Sequence, residues 1–239
     1  MPHSNSRPVI TWLFTGCALI FIMTIVGGIT RLTGSGLSIT EWRPIMGAVP
    51  PMNADEWQHA FDLYKQSPQF IHENNHFGID EFKTIFFWEY LHRLIGRIIG
   101  LVFLIPFAWF WYKKNFSPEL FRKCVFIFLL GGLQGLIGWL MVKSGLIDNP
   151  RVSHYRLALH LLTAFLTFGF IFHTALTLIP PKQFPVRESK TLANVALLFG
   201  GLVVFQIIYG AFVAGLHAGK IYNTFPRFLS RLGRHHVEI

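Results

Sequence analysis

Five stretches of this 239-residue chain are apolar for about 20 residues each or longer, and that property confines it to a membrane. They are 9–29, 84–112, 124–142, 157–179 and 192–216. A helix rises about 1.5 Å per residue, so roughly 20 residues cover a hydrocarbon core of about 30 Å. The bilayer holds no water to satisfy stray backbone amides, which makes the α-helix the conformation for each run. Hydrophobic residues make up 52% of the chain and charged residues 14%, too little polar surface to solvate a globule of this size. The sequence predicts an all-α, polytopic membrane helix bundle with about five transmembrane helices.

The formal net charge of +9 does not mark a nucleic-acid partner, because the lysines and arginines fall mainly in short connectors beside apolar runs. The lipid bilayer is the partner they fit, and they set topology. Placing the amino terminus in the cytoplasm puts Arg7, Lys113, Lys114, Arg122, Lys123, Lys182, Arg187 and Lys190 inside, against Lys143 and Arg151 in the short outside connector. Residues 1–8 then form a cytoplasmic start to an uncleaved signal anchor. The long segment 31–83 lies outside as an ordered cap, with a short amphipathic helix over 55–64 and with Trp42 and Trp57 at the interface. The tail breaks the rule: Lys220, Arg227, Arg231 and Arg234 face the single acid Glu238 on what is then the outer side. Cys17 and Cys124 lie in apolar surroundings without metal-like spacing and are expected to be packed thiols.

The second and fourth runs carry the chemistry. Trp88-Glu89-Tyr90-Leu91-His92-Arg93-Leu94-Ile95-Gly96-Arg97 places a carboxylate, an imidazole and two guanidinium groups in an apolar helix. Such groups cost a few kcal/mol each at depth and are usually paired or functional. Glu89 and His92 are i and i+3 and share a face, while Arg93, four residues beyond Glu89, is placed to neutralise it. The fourth run opens His154-Tyr155-Arg156-Leu157-Ala158-Leu159-His160. Both runs pass from outside to inside, putting His92 roughly 12 Å below Thr84 and His160 roughly 9 Å below His154.

Two imidazoles at one level on neighbouring helices suit the axial positions of a haem iron. Arg93, Arg97 and Arg156 are candidate propionate contacts. Gly131, Gly132, Gly135 and Gly138 thin one side of the third run, and Gly96 with Gly100 form a small-xxx-small pair; close helix packing explains them equally well. His59, His72, His76 and His173 have no ligand-like spacing. The competing reading is a bundle without cofactor, in which Glu89, His92 and His160 are satisfied by one another or by Arg93 and Arg156.

At these residues the chain resembles the haem A synthase family. The matching stretches are Gly27-Gly28-Ile29-Thr30-Arg31-Leu32-Thr33-Gly34-Ser35-Gly36-Leu37-Ser38 with Glu41-Trp42-Arg43-Pro44, then Glu89-Tyr90-Leu91-His92-Arg93. Gln134-Gly135, Gly138-Trp139, Val142-Lys143-Ser144-Gly145-Leu146, Arg156-Leu157-Ala158-Leu159-His160 and Tyr222-Asn223-Thr224-Phe225-Pro226 extend the match. The resemblance implies an oxidoreductase of the bacterial inner membrane that turns one methyl group of haem O into a formyl group, making haem A for cytochrome oxidase. It implies two similar four-helix halves, with the substrate haem in the first and haem b in the second. Glu89 corresponds to the essential glutamate, and His92 and His160 to the iron ligands. Haem O synthase and cytochrome oxidase assembly proteins are the implied partners. The cysteine pair of some members is missing from the segment 31–83.

The resemblance also sets a domain expectation. Residues 9–179 form a four-helix haem-binding half, 180–216 the linker and first helix of a second half, and 217–239 an outer segment with an atypical tail. Ile25-Val26-Gly27-Gly28 is echoed by Ile208-Tyr209-Gly210-Ala211, as expected where a second half begins. The family continues through three more helices after the position of Pro226, so a frameshifted or prematurely stopped copy lacking the haem b site is expected, with activity in doubt. Two other functional classes stand beside the enzyme: a bis-histidine electron carrier and a non-catalytic haem-binding assembly factor.

Overall fold

The structure, a computed structural model, describes residues 7–41, 46–147, 150–180 and 189–221. Expectations for residues 1–6, for Trp42, Arg43 and Pro44, for Lys182 and Arg187, and for the tail from Tyr222 onward lie outside them. The described chain is helical: α1 (Arg7–Leu32), α2 (Ala54–Lys65), α3 (Pro68–His72), α4 (Ile79–Tyr112), α5 (Pro118–Ser144), α6 (His154–Thr177), α7 (Lys190–Gly215) and α8 (Ala218–Ile221). Among the described residues, α1, α4, α5, α6 and α7 are long and apolar enough to cross a membrane, which makes this a multi-pass membrane protein.

Capping fixes where the long helices start. Glu81 accepts the Gly78 N–H at 2.9 Å and draws α4 outward to Ile79, five residues before the apolar run. Ser117 accepts from Leu120 N ahead of Pro118, so α5 also begins before its run. Ser153 caps α6 in the same way through Arg156 N. Within α4, Pro106 supplies no N–H to the carbonyl one turn back, and the Trp12 indole of α1 donates to that Val102 oxygen at 2.8 Å.

α1 packs against both α4 and α6, α5 pairs with α6, and α7 lies along α6, whereas consecutive α4 and α5 meet only sparingly. The helices that carry the two histidines, α4 and α6, are thus joined through α1. One apolar cluster, centred on Val9, Trp12, Leu13, Phe110, Cys124 and Ala175, fills the end near the amino terminus, and both cysteines are buried there as free thiols. At the opposite end α2, α3 and the start of α4 form a cap around Phe61, Tyr64, Phe82, Ile85 and Phe86. The expected cap helix is present as α2, one residue longer at each end, with Asn53 as its N-cap. Large apolar side chains such as Leu101, Leu129 and Leu197 are exposed around the bundle, as lipid contact requires.

Candidate functional site

Two glycines bring the histidines to one level. A Cβ on Gly27 of α1 would lie 3.2 Å from His92 Nε2, and a Cβ on Gly138 of α5 would lie 2.9 Å from His160 Cε1. Gly27 is five residues from the capped end of α1, Gly138 six from the capped end of α5, and His160 six from the start of α6. At about 1.5 Å per residue these are roughly 8–9 Å from the helix ends. His160 lies within electrostatic range of His92. The structure thus brings together the two imidazoles that the sequence singled out.

His160 is not satisfied as a packing histidine would be. Its Nδ1 is the one buried side-chain nitrogen or oxygen without a hydrogen-bond partner among the described residues. Its Nε2 has only a 3.5 Å contact with Gln134 Nε2. Gln134 is itself fixed, donating to the His160 carbonyl at 2.9 Å and accepting the Thr163 hydroxyl at 2.5 Å. Buried polar atoms are normally paired, so the unpartnered His160 nitrogen is a donor atom that a bound ligand could use.

Glu89, one helical turn from His92, is buried and held by three donors. Ser38 Oγ and the Ile39 amide donate to Oε2 at 2.7 and 2.8 Å, and Arg93 Nη2 pairs with Oε1 at 2.6 Å. Arg93 Nη2 also donates to the Ile39 carbonyl at 3.0 Å. The loop after α1 is thereby clasped to α4 by a carboxylate and a guanidinium. That loop is anchored from the cap as well: Gly34 sits at φ +67, its carbonyl accepts from Gln69 Nε2 at 2.7 Å, and Gln69 Oε1 accepts from Tyr64.

The arginines differ in placement. Arg93 is turned to Glu89 and the loop carbonyls. Arg97 lies partly buried one turn further along α4. Arg156 is exposed and donates to the Leu140 carbonyl of α5 at 2.5 Å. The glycine stripe of α5 has no neighbour at Gly131, Gly132 or Gly135, so close packing does not account for those three; Gly138 alone of the stripe faces a contact. Sequence reasoning gave no role to Ser38, Ile39, Gln134, Gly27 or Gly138 individually.

The donor set fits a porphyrin. Among the described residues no three His, Cys, Asp or Glu converge as a protein-only metal site would require. A metal between these two rings needs equatorial donors of its own, which a porphyrin provides. The orphaned Nδ1 is what such a group would use.

Fold and site together define a polytopic membrane helix bundle with two imidazoles within electrostatic range of each other and an ion-paired carboxylate near its capped end. The family model described as cytochrome oxidase assembly protein matches residues 10–238, and the chain belongs to that family. It is similar to the protein named "Heme A synthase" of Flavobacterium psychrophilum, 50% identical over 93% of this chain and 66% of the relative. The same name is carried by relatives in Nitrosospira multiformis, 50% identical over 92% of this chain and 62% of theirs, and Parvibaculum lavamentivorans, 50% identical over 93% and 64%. The chain spans a little under two thirds of the length of these relatives. No solved structure matches it.

Proposed function

We propose that the chain is a haem A synthase: an oxidoreductase that holds haem O between His92 and His160 and oxidises one of its methyl groups to a formyl group, the oxygen coming from water and four electrons and four protons leaving to an external acceptor. The observation that carries the reading is the under-satisfied His160 ring within electrostatic range of His92, in the family's sequence frame. The names of the relatives support it. In this reading residues 9–179 are the substrate-binding half, the amino terminus lies in the cytoplasm of a bacterium, and haem O synthase supplies the substrate.

Bound haem supplies the redox chemistry of its iron. The protein's residues supply the rest. His92 and His160 would hold the haem iron, with Gln134 and Thr163 fixing the helix face that carries His160. Ser38, Ile39 and Arg93 hold the Glu89 carboxylate one turn from His92 and occupy three of its roughly four acceptor positions. The carboxylate would stabilise positive charge developing at the substrate edge, and the remaining acceptor position can hold a proton on a hydroxyl there. Arg97 and Arg156 are the propionate contacts, Arg156 by leaving the Leu140 carbonyl. Apolar surroundings exclude bulk water.

The test is conversion of haem O in proteoliposomes, with product separated chromatographically and its formyl group read by mass and absorbance. Glu89→Gln is expected to keep the Soret band and lose the formyl product. His92→Ala and His160→Ala are expected to lose both. A bis-histidine electron carrier would bind haem, cycle its iron, and be indifferent to Glu89→Gln. An unmodified haem O with normal binding in the wild-type chain would leave the assembly-factor reading in place.

A further inference from the structure

The helices that carry His92 and His160, α4 and α6, make little contact with each other, and α1 packs against both. The spacing of the two rings therefore depends on how α1 is fixed against α6. At the end of the bundle near the amino terminus an apolar cluster does this, with Trp12 of α1 and Ala175 of α6 among its members. At the histidine end the fastening is polar and passes through a third helix, α7.

Arg31, in the last turn of α1, reaches across to α7 and donates to the Ala214 carbonyl, from Nε at 3.1 Å and also from Nη2. Ala214 is the next-to-last residue of α7. The final carbonyls of a helix have no amide one turn further on, and the negative end of the helix dipole lies there, so a forked cation suits the position. Gly215, the next residue, is buried against the first residue of α6: a Cβ on it would lie 2.6 Å from His154 Cβ and 2.8 Å from His154 Cα. Phe212 stands edge-on to the His154 ring, with centroids 5.4 Å apart. The end of α7 thus abuts the backbone of α6 and is held to α1 by a guanidinium.

Both contacts lie close in register to a histidine of the pair. Gly27, which gives the His92 ring its clearance, is one helical turn before Arg31 on the same face of α1. His160 follows His154 by six residues, about 9 Å along α6. We propose that Arg31 is a positioning residue for the haem: by tying α1 to the end of α7 that abuts His154, it fixes how His92 and His160 are disposed toward each other at the iron. The inference rests on the bis-histidine haem site proposed above.

The test loads the full chain with haem O in detergent and reads the ferric form by electron paramagnetic resonance, where the largest g value of a bis-histidine haem follows the mutual orientation of the imidazole planes. Arg31→Met, which keeps the side chain's length and removes its donors, is expected to shift and broaden that signal. It should also speed haem dissociation about tenfold, the low end of the effect of groups that orient metal ligands. Arg31→Lys, which can still donate to Ala214, is expected to restore the wild-type g value. Trp12→Phe loses a hydrogen bond at the other end of the bundle and should lower stability while leaving the signal in place. Phe212→Leu loosens the same junction from α7 without removing a charge, and should shift the signal in the same direction. It decides the matter if Arg31→Met does not fold. An unmoved g value in Arg31→Met, or in Phe212→Leu where that variant must decide, overturns the inference alone, as does an equal shift in Trp12→Phe. A wild-type chain without the low-spin bis-histidine signal overturns the haem site itself, and this inference with it.

Discussion

Gly138 of α5 stands so close to His160 of α6 that a Cβ at position 138 would lie 2.9 Å from the ring's Cε1, inside any ordinary carbon contact. The ring must shift if that glycine is replaced, carrying both of its nitrogens with it. Gly27 plays the same part for His92 with a looser 3.2 Å clearance. Gly131, on the same helix as Gly138 but with open space around it, offers an internal control.

The prediction is graded. Gly138→Ala should weaken haem retention most, Gly27→Ala less, and Gly131→Ala not at all, with the last gaining up to about 1 kcal/mol of helix propensity. Haem-to-protein stoichiometry from the Soret band after gel filtration checks the order. Equal retention in Gly138→Ala and wild type would show that His160 does not hold the porphyrin.

Glu89 and Arg93 form a buried pair whose loss is asymmetric. Arg93→Ala strands a carboxylate, which costs about 3–5 kcal/mol when a partner is removed from a buried ion pair. Ser38→Ala removes one neutral donor of three and should cost about 1 kcal/mol. Thermal unfolding in detergent checks the ranking. A larger loss for Ser38→Ala than for Arg93→Ala would mean that the loop hydrogen bonds, not the ion pair, hold Glu89.

The five spans were legible because a bilayer imposes one length on every crossing helix, and each apolar run met it. Their ends were less so: Ser117, Ser153 and the Gly78–Glu81 contact extend α5, α6 and α4 beyond the hydrophobic boundary, since caps are polar and lie outside any hydropathy signal. The Glu89–Arg93 pair was readable from its i,i+4 spacing, and the common level of His92 and His160 from counting residues. Ser38 and Ile39 were not, because they reach Glu89 from a loop with no periodicity, 50 residues or more away in sequence. The glycines announced thinness but not its beneficiary. Which side chain occupies the space beside Gly138 depends on the rotation of α6 against α5, and a sequence carries that only through the packing it produces.

The cap should report its own integrity by pH. Burial pushes the Tyr64 phenol from 10.0 up to about 12, with the nearby Glu73 and Glu89 charges acting the same way and the Asn74 hydrogen bond opposing them. A folded-state value above the unfolded one means stability that is fully present below pH 10 and lost as pH rises toward 12. Hydrogen exchange across α2 is therefore expected to accelerate in that interval, together with phenolate absorbance that Tyr64→Phe removes. Phenolate formation by Tyr64 at pH 10 without cap opening would show that its ring is not sealed.

Trp12 and Pro106 should behave as one unit although they lie on different helices. The proline frees the Val102 carbonyl and the indole satisfies it, so Trp12→Phe leaves a part-buried acceptor unpaired at a cost of about 1 kcal/mol. Pro106→Ala restores an N–H within α4, and the same Trp12→Phe change made in that background should cost markedly less, because the carbonyl then has a partner on its own helix. A double-mutant cycle measured by thermal unfolding isolates this coupling from the packing that Trp12 shares with Phe103 and Phe110, which both backgrounds lose equally. Additive effects across the cycle would show that the indole contributes only its apolar surface.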